Sequence, residues 1–471
     1  MNKTKLGSVL GMGSWLLLTN VGCGGGRDPG ADEGVSSLGE TSADSNDDQT
    51  ENGNEAHEGT EDPSDDDADD STDDTTNPTD DGQEQGDEGE DDGGMGAKFD
   101  LGIIPDSGPQ NCGGGNGGDP EFSYLWAANS DQGTISKIDT KTVTEVGRFM
   151  TRPDNFGSPS RTSVSLSGDV AVANRNGGVT KIYANPDNCE ESNGTPGIQT
   201  SNNNQFLAWD QEECRAWHTP MNYQSQRPVA WAPGEFNAGT CKWEGEELWT
   251  SGFNNGGTLD IVLLDGDDGS IIDMVQVPTN NLDTGLNADG FGIYGGASDG
   301  EGNFWGSQLG SQKLVRVNRE DMTYEIFNAN ANAWGSWYGM TVDSDGMVWL
   351  CGSEAGRFDP ETQSFVQASV GGYTGCMADA AENGLLWMSD GSGVIGVDRE
   401  TLQVVKTCNG PGSYGISIDF EGYIWAVAFG STATKFDPDT CQTWSYNGLV
   451  GAYTYSDMTG YALSNAGSPS G

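Results

Sequence analysis

Val342-Asp-Ser-Asp-Gly-Met-Val-Trp349 is the stretch from which the fold can be read. An apolar residue leads into an Asp-headed turn, Gly346 gives the turn its backbone freedom, and the chain leaves on an apolar run that carries a large aromatic ring. The form recurs in Ser298-Asp-Gly-Glu-Gly-Asn-Phe-Trp305, in Ala381-Glu-Asn-Gly-Leu-Leu-Trp387 and in Ile418-Asp-Phe-Glu-Gly-Tyr-Ile-Trp425. The common pattern is Asp-x-x-Gly-x-apolar-Trp, with Ala381 standing where the other copies carry Asp. The tryptophans are 44, 38 and 38 residues apart, a period that suits one four-stranded blade.

A second landmark follows each aromatic strand. Short β runs end in Asp-headed turns at Ile138-Asp139-Thr, Leu264-Asp265-Gly, Val317-Asn318-Arg, Phe358-Asp359-Pro, Val397-Asp398-Arg and Phe436-Asp437-Pro. Asp and Asn bond their own downstream backbone, and Pro presets φ, so this is turn chemistry. Ile182-Tyr183 is a weaker seventh case. Both landmarks count seven units, with Trp126, Ala171, Trp249, Trp305, Trp349, Trp387 and Trp425 in the equivalent place. The expected fold is all-β, a seven-bladed propeller. Tyr453-Thr-Tyr-Ser-Asp457-Met-Thr-Gly460-Tyr-Ala-Leu463 keeps the register of the last turn and is expected to supply a closing strand to the first blade. The repeated tryptophans are expected to pack between blades.

The chain before the repeats is different in kind. Its 471 residues carry a formal net charge of −52, and between Asp28 and Ala97 there are 27 acidic residues and no Lys or Arg. Such a stretch cannot bury enough apolar surface to fold, so residues 23–97 are expected to form a disordered acidic stalk. The charge also argues against nucleic-acid partners. Residues 1–22 read as an export signal, with Lys3 and Lys5 before a short apolar run too brief to span a membrane. Cys23 follows Asn20-Val21-Gly22 and precedes three glycines. It resembles the lipidated cysteine of bacterial lipoproteins, although Asn20 stands where Leu is usual. The anchor is expected to be the sole membrane contact, holding a monomer at the bacterial cell envelope, on the outer membrane or cell surface.

With Cys23 set aside, eight cysteines remain, an even set that favours disulfides in an exported chain. Cys189–Cys214, Cys351–Cys376 and Cys408–Cys441 are the expected pairs as neighbours in sequence, leaving Cys112–Cys241. Residues about 185–243 are read as an insert between the second and third blades. It contains His218, the one histidine beyond the stalk, with Trp209, Trp217 and Trp231. Glu191, Asn193 and Thr195 place oxygens at alternate positions, a degenerate version of a calcium loop. The bland reading of that stretch is a surface loop tied by Cys189 and Cys214.

Tyr294, Tyr338 and Tyr414 each precede a Gly at the start of an innermost strand, and Arg161 and Arg227 fall at similar places. These five are expected to ring one mouth of the central channel, either as a ligand site or as a plug. Together the two turn motifs and the closing segment resemble the virginiamycin B lyase-type seven-bladed propellers over about residues 98–465. The lipobox, stalk and Cys189 insert are similar to exported lipoprotein members of that family in myxobacteria and related bacteria. The resemblance implies a lyase using Mg²⁺ with His and Glu near the channel, but His218 is not on an innermost strand, so no catalytic residue is carried over. Three readings follow: a non-catalytic binding or scaffold module, a divalent-metal-dependent lyase or hydrolase working through carboxylates at the channel mouth, and an envelope-organising protein with no small ligand. No cofactor is certain, with Ca²⁺ or Mg²⁺ the candidates, and the partner is an unidentified ligand or envelope protein.

Overall fold

The structure is a computed structural model of the chain. It describes residues 123–466 except 238, 255–257, 280–285, 287–290, 310–312, 329–336, 382 and 456. The export signal, Cys23, the acidic stalk and Cys112 lie outside the described residues.

The repeat becomes seven antiparallel sheets, six of four strands and one of three, among the described residues. Blade 5 shows the pattern: Gly339–Val342 innermost, then Val348–Cys351, Glu354–Asp359 and Ser364–Ser369 outermost. Trp349 pairs with Thr341 on one side and with Arg357 on the other. The innermost strands of blades 2 to 7, from Pro159–Val164 to Gly415–Ile418, lie side by side in order around an axis. Seven sheets so arranged define a seven-bladed β-propeller.

Blade 1 carries three strands, Tyr124–Asn129, Thr134–Asp139 and Thr144–Met150. The C-terminal segment takes the fourth place, as its register predicts. Trp126 N donates to Met458 O at 2.8 Å and Tyr453 N to Ala128 O at 3.2 Å, and Ala452 bridges Asn129 and Gly430 of blade 7. It is an irregular segment rather than a strand. After Gly460, where a second strand would follow by analogy, Tyr461–Ala466 turns into a short helix. The helix buries Tyr461 and Leu463 at the inner ends of the blades, and the Tyr461 hydroxyl donates to Asp379 at 2.9 Å. No helix among the described residues is long and apolar enough to cross a membrane.

The stretch 185–243 is two insertions rather than one. Residues 183–214 loop out between the third and fourth strands of blade 2, Val179–Ile182 and Arg215–Thr219. A hairpin of Glu235–Asn237 and Lys242–Glu244 extends the first turn of blade 3, between Ser225–Ala232 and Glu247–Phe253. Trp231 is therefore an innermost-strand residue, fully buried, and its Nε1 donates to Ser163 O of blade 2. His218 and Trp217 sit on the outermost strand of blade 2. The three expected disulfides Cys189–Cys214, Cys351–Cys376 and Cys408–Cys441 are formed. Cys241 is disulfide-bonded as well.

The tryptophans do pack between blades. Trp249 lies 5.8 Å from Phe304 of the next blade and donates Nε1 to Gly302 O, and Trp305 meets Phe358 at 6.2 Å. The turn aspartates hold these rings. Asp299, Asp343 and Asp419 accept from Nε1 of Trp305, Trp349 and Trp425 at 2.9, 2.7 and 2.8 Å. Each buried carboxylate also meets a cation: Arg316 at 3.5 Å, Arg399 at 3.4 Å and Lys435 at 3.2 Å. Burial pushes the Asp419 carboxyl up to about 6, with Lys435 opposing. In blade 6, Ala381 replaces the Asp and Gly396 faces Trp387 where blades 1, 2, 4, 5 and 7 place Lys or Arg. Acid and base are lost together, as expected when either alone would be a buried unpaired charge. Trp387 Nε1 is left without an acceptor.

Candidate functional site

The five predicted mouth residues do converge. The Tyr294 hydroxyl meets that of Tyr453 at 2.7 Å, and those of Tyr338 and Tyr455 also reach Tyr453. The rings of Tyr338 and Tyr455 are 4.7 Å apart and those of Tyr294 and Tyr338 5.0 Å. Arg161 donates Nη2 to Tyr294 O at 2.9 Å and lays its guanidinium over Tyr455. Arg227 lies 4.8 Å from the Tyr294 ring and 4.9 Å from that of Phe291. Aromatic faces attract the two guanidinium groups, so the cluster is held by cation–π as well as by hydroxyl contacts.

This inner layer is closed. Tyr294 is 0 % exposed, Arg161 1 %, Tyr453 3 % and Tyr455 5 %. At this end the channel is filled by the chain's own rings, which is the plug reading of the two that the sequence leaves open. Burial pushes the Tyr294, Tyr338 and Tyr453 hydroxyls upward, chiefly by desolvation and then by the neighbouring Tyr455. They remain protonated donors at neutral pH.

Tyr414 links the plug to an open outer layer. Its ring lies 6.0 Å from Tyr453, 5.1 Å from Tyr373 and 5.6 Å from Phe429, and the Tyr373 and Tyr414 hydroxyls meet at 3.0 Å. Tyr373 is 43 % exposed and Phe429 65 %. Both stand on loops at this mouth: Tyr373 three residues before the innermost strand Cys376–Ala378 of blade 6, Phe429 just past Ile424–Val427 of blade 7. Neither belongs to the repeat, so periodicity could not single them out. Gly372 and Gly430 beside them were the available signal, since glycine marks loop tips.

The calcium candidates lie elsewhere, on the blade 2 loop, and their oxygens serve the backbone. Asn193 Oδ1 accepts from Thr195 N at 2.8 Å and Glu191 Oε2 from Gly197 N at 3.3 Å. The loop gathers around Glu213, whose carboxylate accepts from Ser192, Asn193 and Gln199 N at 2.7, 2.9 and 2.7 Å. Those N–H donors hold its carboxyl below the usual range, Gln199 foremost. This matches the disulfide-tied loop reading. No cluster of three or more His, Cys, Asp or Glu among the described residues is placed to hold a metal. His218 is far from the plug, with Nδ1 2.8 Å from Thr180 Oγ1. Burial, with Arg152 and Arg215 adding to it, pushes its imidazole down to about 4, so it is neutral at pH 7.

No family model matches the chain, and no curated protein does. Solved structures do share the architecture at low identity. A streptogramin B lyase matches at 15 % identity and a TM-score of 0.44, over 65 % of this chain and 87 % of that one. The virginiamycin B lyase of Staphylococcus aureus matches at 13 % and 0.41, over 61 % and 83 %. AztD of Citrobacter koseri matches at 12 % and 0.43, over 71 % and 97 %. Likeness at this level concerns the fold alone, and propellers host many functions.

Proposed function

We propose that this protein is a non-catalytic binding or scaffold module of the bacterial envelope, held at the outer membrane or cell surface through a lipidated Cys23 and its acidic stalk. One observation carries the binding part: an aromatic face of exposed Tyr373 and Phe429 with half-buried Tyr414 between them, seated on a rigid buried layer of Tyr and Arg. Aromatic rings already fixed in place lose little entropy on binding, which is why Tyr and its neighbours dominate recognition hot spots. The inner layer spends its polar groups on one another, leaving recognition to the outer rings.

The test places a photoreactive benzoylphenylalanine at Phe429 and, as a control, at Val405, an exposed residue of the outermost strand of blade 6. Irradiation in intact envelopes should give a discrete adduct from position 429 and none from 405. Equal labelling from the two positions would sink the proposal.

A further inference from the structure

At the outer edge of blade 2, away from the channel mouth, the fourth strand and the disulfide-tied loop enclose a groove of about 490 Å³. That volume falls in the range of small-molecule sites. Trp209, Trp217, Tyr183 and His218 form its walls, and Arg215, Glu190 and Glu213 bring charge to it, the Glu213 carboxylate being taken up by the loop's own backbone N–H groups. The groove is built rather than incidental. The Cys189–Cys214 bond and the Glu213 carboxylate fix the loop on one side. Trp217 is locked by donation of Nε1 to Gly266 O at 3.0 Å, and the Trp209 and His218 rings meet edge-on at 5.4 Å.

Arg215 is the unusual member. It is half-buried, its guanidinium lies 3.9 Å from the Trp209 ring, and Nη1 donates to Trp209 O. Its Nε and Nη2 have no hydrogen-bond partner among the described residues, and no carboxylate oxygen lies within 4.0 Å. Removing a guanidinium from water costs free energy that a carboxylate partner offsets. Burial pulls its pKa down, and Glu212 and Asp210 act against that only at a distance.

We infer that this groove binds an acidic saccharide, with the sugar carboxylate on the open edge of Arg215 and the apolar face of a ring against the aromatic walls. The planar fork of Arg matches a carboxylate, which a point charge does not. Aromatic walls suit the C–H face of a pyranose, and Glu190 and Ser192 at the rim can accept from or donate to its hydroxyls. The inference is independent of the mouth reading, so either can fail alone.

The experiment is isothermal titration, with tryptophan fluorescence alongside, of the full-length chain. The probes are trimers of galacturonate and of glucuronate, an N-acetylneuraminate dimer, and a neutral galactose trimer. At least one acidic glycan should bind ten-fold or more tightly than the neutral trimer, weaken as salt rises, and perturb the fluorescence. Arg215→Lys keeps charge and stem and should lower that affinity at least ten-fold. Asp187→Asn, an exposed change outside the groove lining, should not lower it, and near-ultraviolet circular dichroism shows whether each variant is folded. No binding by any acidic glycan at millimolar concentration overturns the inference. So does equal binding of the neutral trimer, or unchanged affinity in folded Arg215→Lys.

Discussion

Replacing Asp419 with Ala should be among the most damaging single changes in the chain. The carboxylate is 0 % exposed and accepts from Trp425 Nε1 and Tyr423 N, each at 2.8 Å, and from Glu421 N at 3.1 Å. Lys435 Nζ stands 3.2 Å away with its side chain 6 % exposed. Asp419→Ala strands these donors and leaves the ammonium with Thr140 O, 2.8 Å away, and the rings of Tyr423 and Trp425, but no carboxylate within 4.0 Å. Breaking one side of a buried pair costs about 3–5 kcal/mol. Unfolding entropy near 2.1 cal/mol/K per residue gives ~0.7 kcal/mol/K for a domain of this size, so the melting point should fall by roughly 4–7 °C. Calorimetry of Asp419→Ala, Lys435→Met and the double variant measures this. The double variant should be more stable than Asp419→Ala, because it removes the stranded charge. A single-variant cost under about 1 kcal/mol, or a double-variant cost equal to the sum, would refute the reasoning.

The same carboxyl sets a pH dependence. Its native pKa of about 6 lies above the ordinary ~3.9, so between these values the folded chain holds a proton that the unfolded chain has lost. This contribution is complete below about pH 4 and is lost as pH rises through 6, roughly 3 kcal/mol in all. The stability difference between wild type and Asp419→Asn should shrink from pH 4 to pH 7; a constant or widening gap contradicts it. Ala381→Asn should offer Trp387 Nε1 an acceptor and raise stability by about 1 kcal/mol in denaturant unfolding. Deleting residues 453–471 removes Tyr453, Tyr455, Met458, Tyr461 and Leu463 from the core. At ~1.5–3 kcal/mol per large side chain this rivals the whole stability of a domain. The truncated chain should lose its cooperative melt, and an unchanged melt would show that the segment does not close the ring.

Much of the architecture was legible because the repeat writes one physical solution several times. Asp299, Asp343 and Asp419 recur at fixed spacing from a Trp since each must accept that ring's Nε1. The cations on the third strand were also visible, at Lys137, Lys181, Arg316, Arg357 and Lys435, each two residues before the turn. Turn chemistry alone gave no reason to weigh them; the register opposite the aromatic position does. The 78 residues between Ala171 and Trp249 read as one insertion because two separate loops and two real strands add to the same length. The final helix was hidden because Asp457 and Gly460 repeat the turn while the following residues meet the inner ends of the blades instead of a neighbouring strand. At the mouth, Arg161, Arg227 and the Tyr-Gly tyrosines were readable from periodicity, whereas the exposed Tyr373 and Phe429 stand outside it.

The central claim is that the chain's own tyrosines close the channel and leave an outer aromatic face for recognition. Tyrosine nitration of the folded protein by tetranitromethane, mapped by mass spectrometry, tests it directly. Tyr373 should be modified readily while Tyr294, Tyr453 and Tyr455 are protected until the protein unfolds. Nitration of Tyr294 and Tyr453 in the folded protein at rates matching Tyr373 would mean an open channel and would contradict the account.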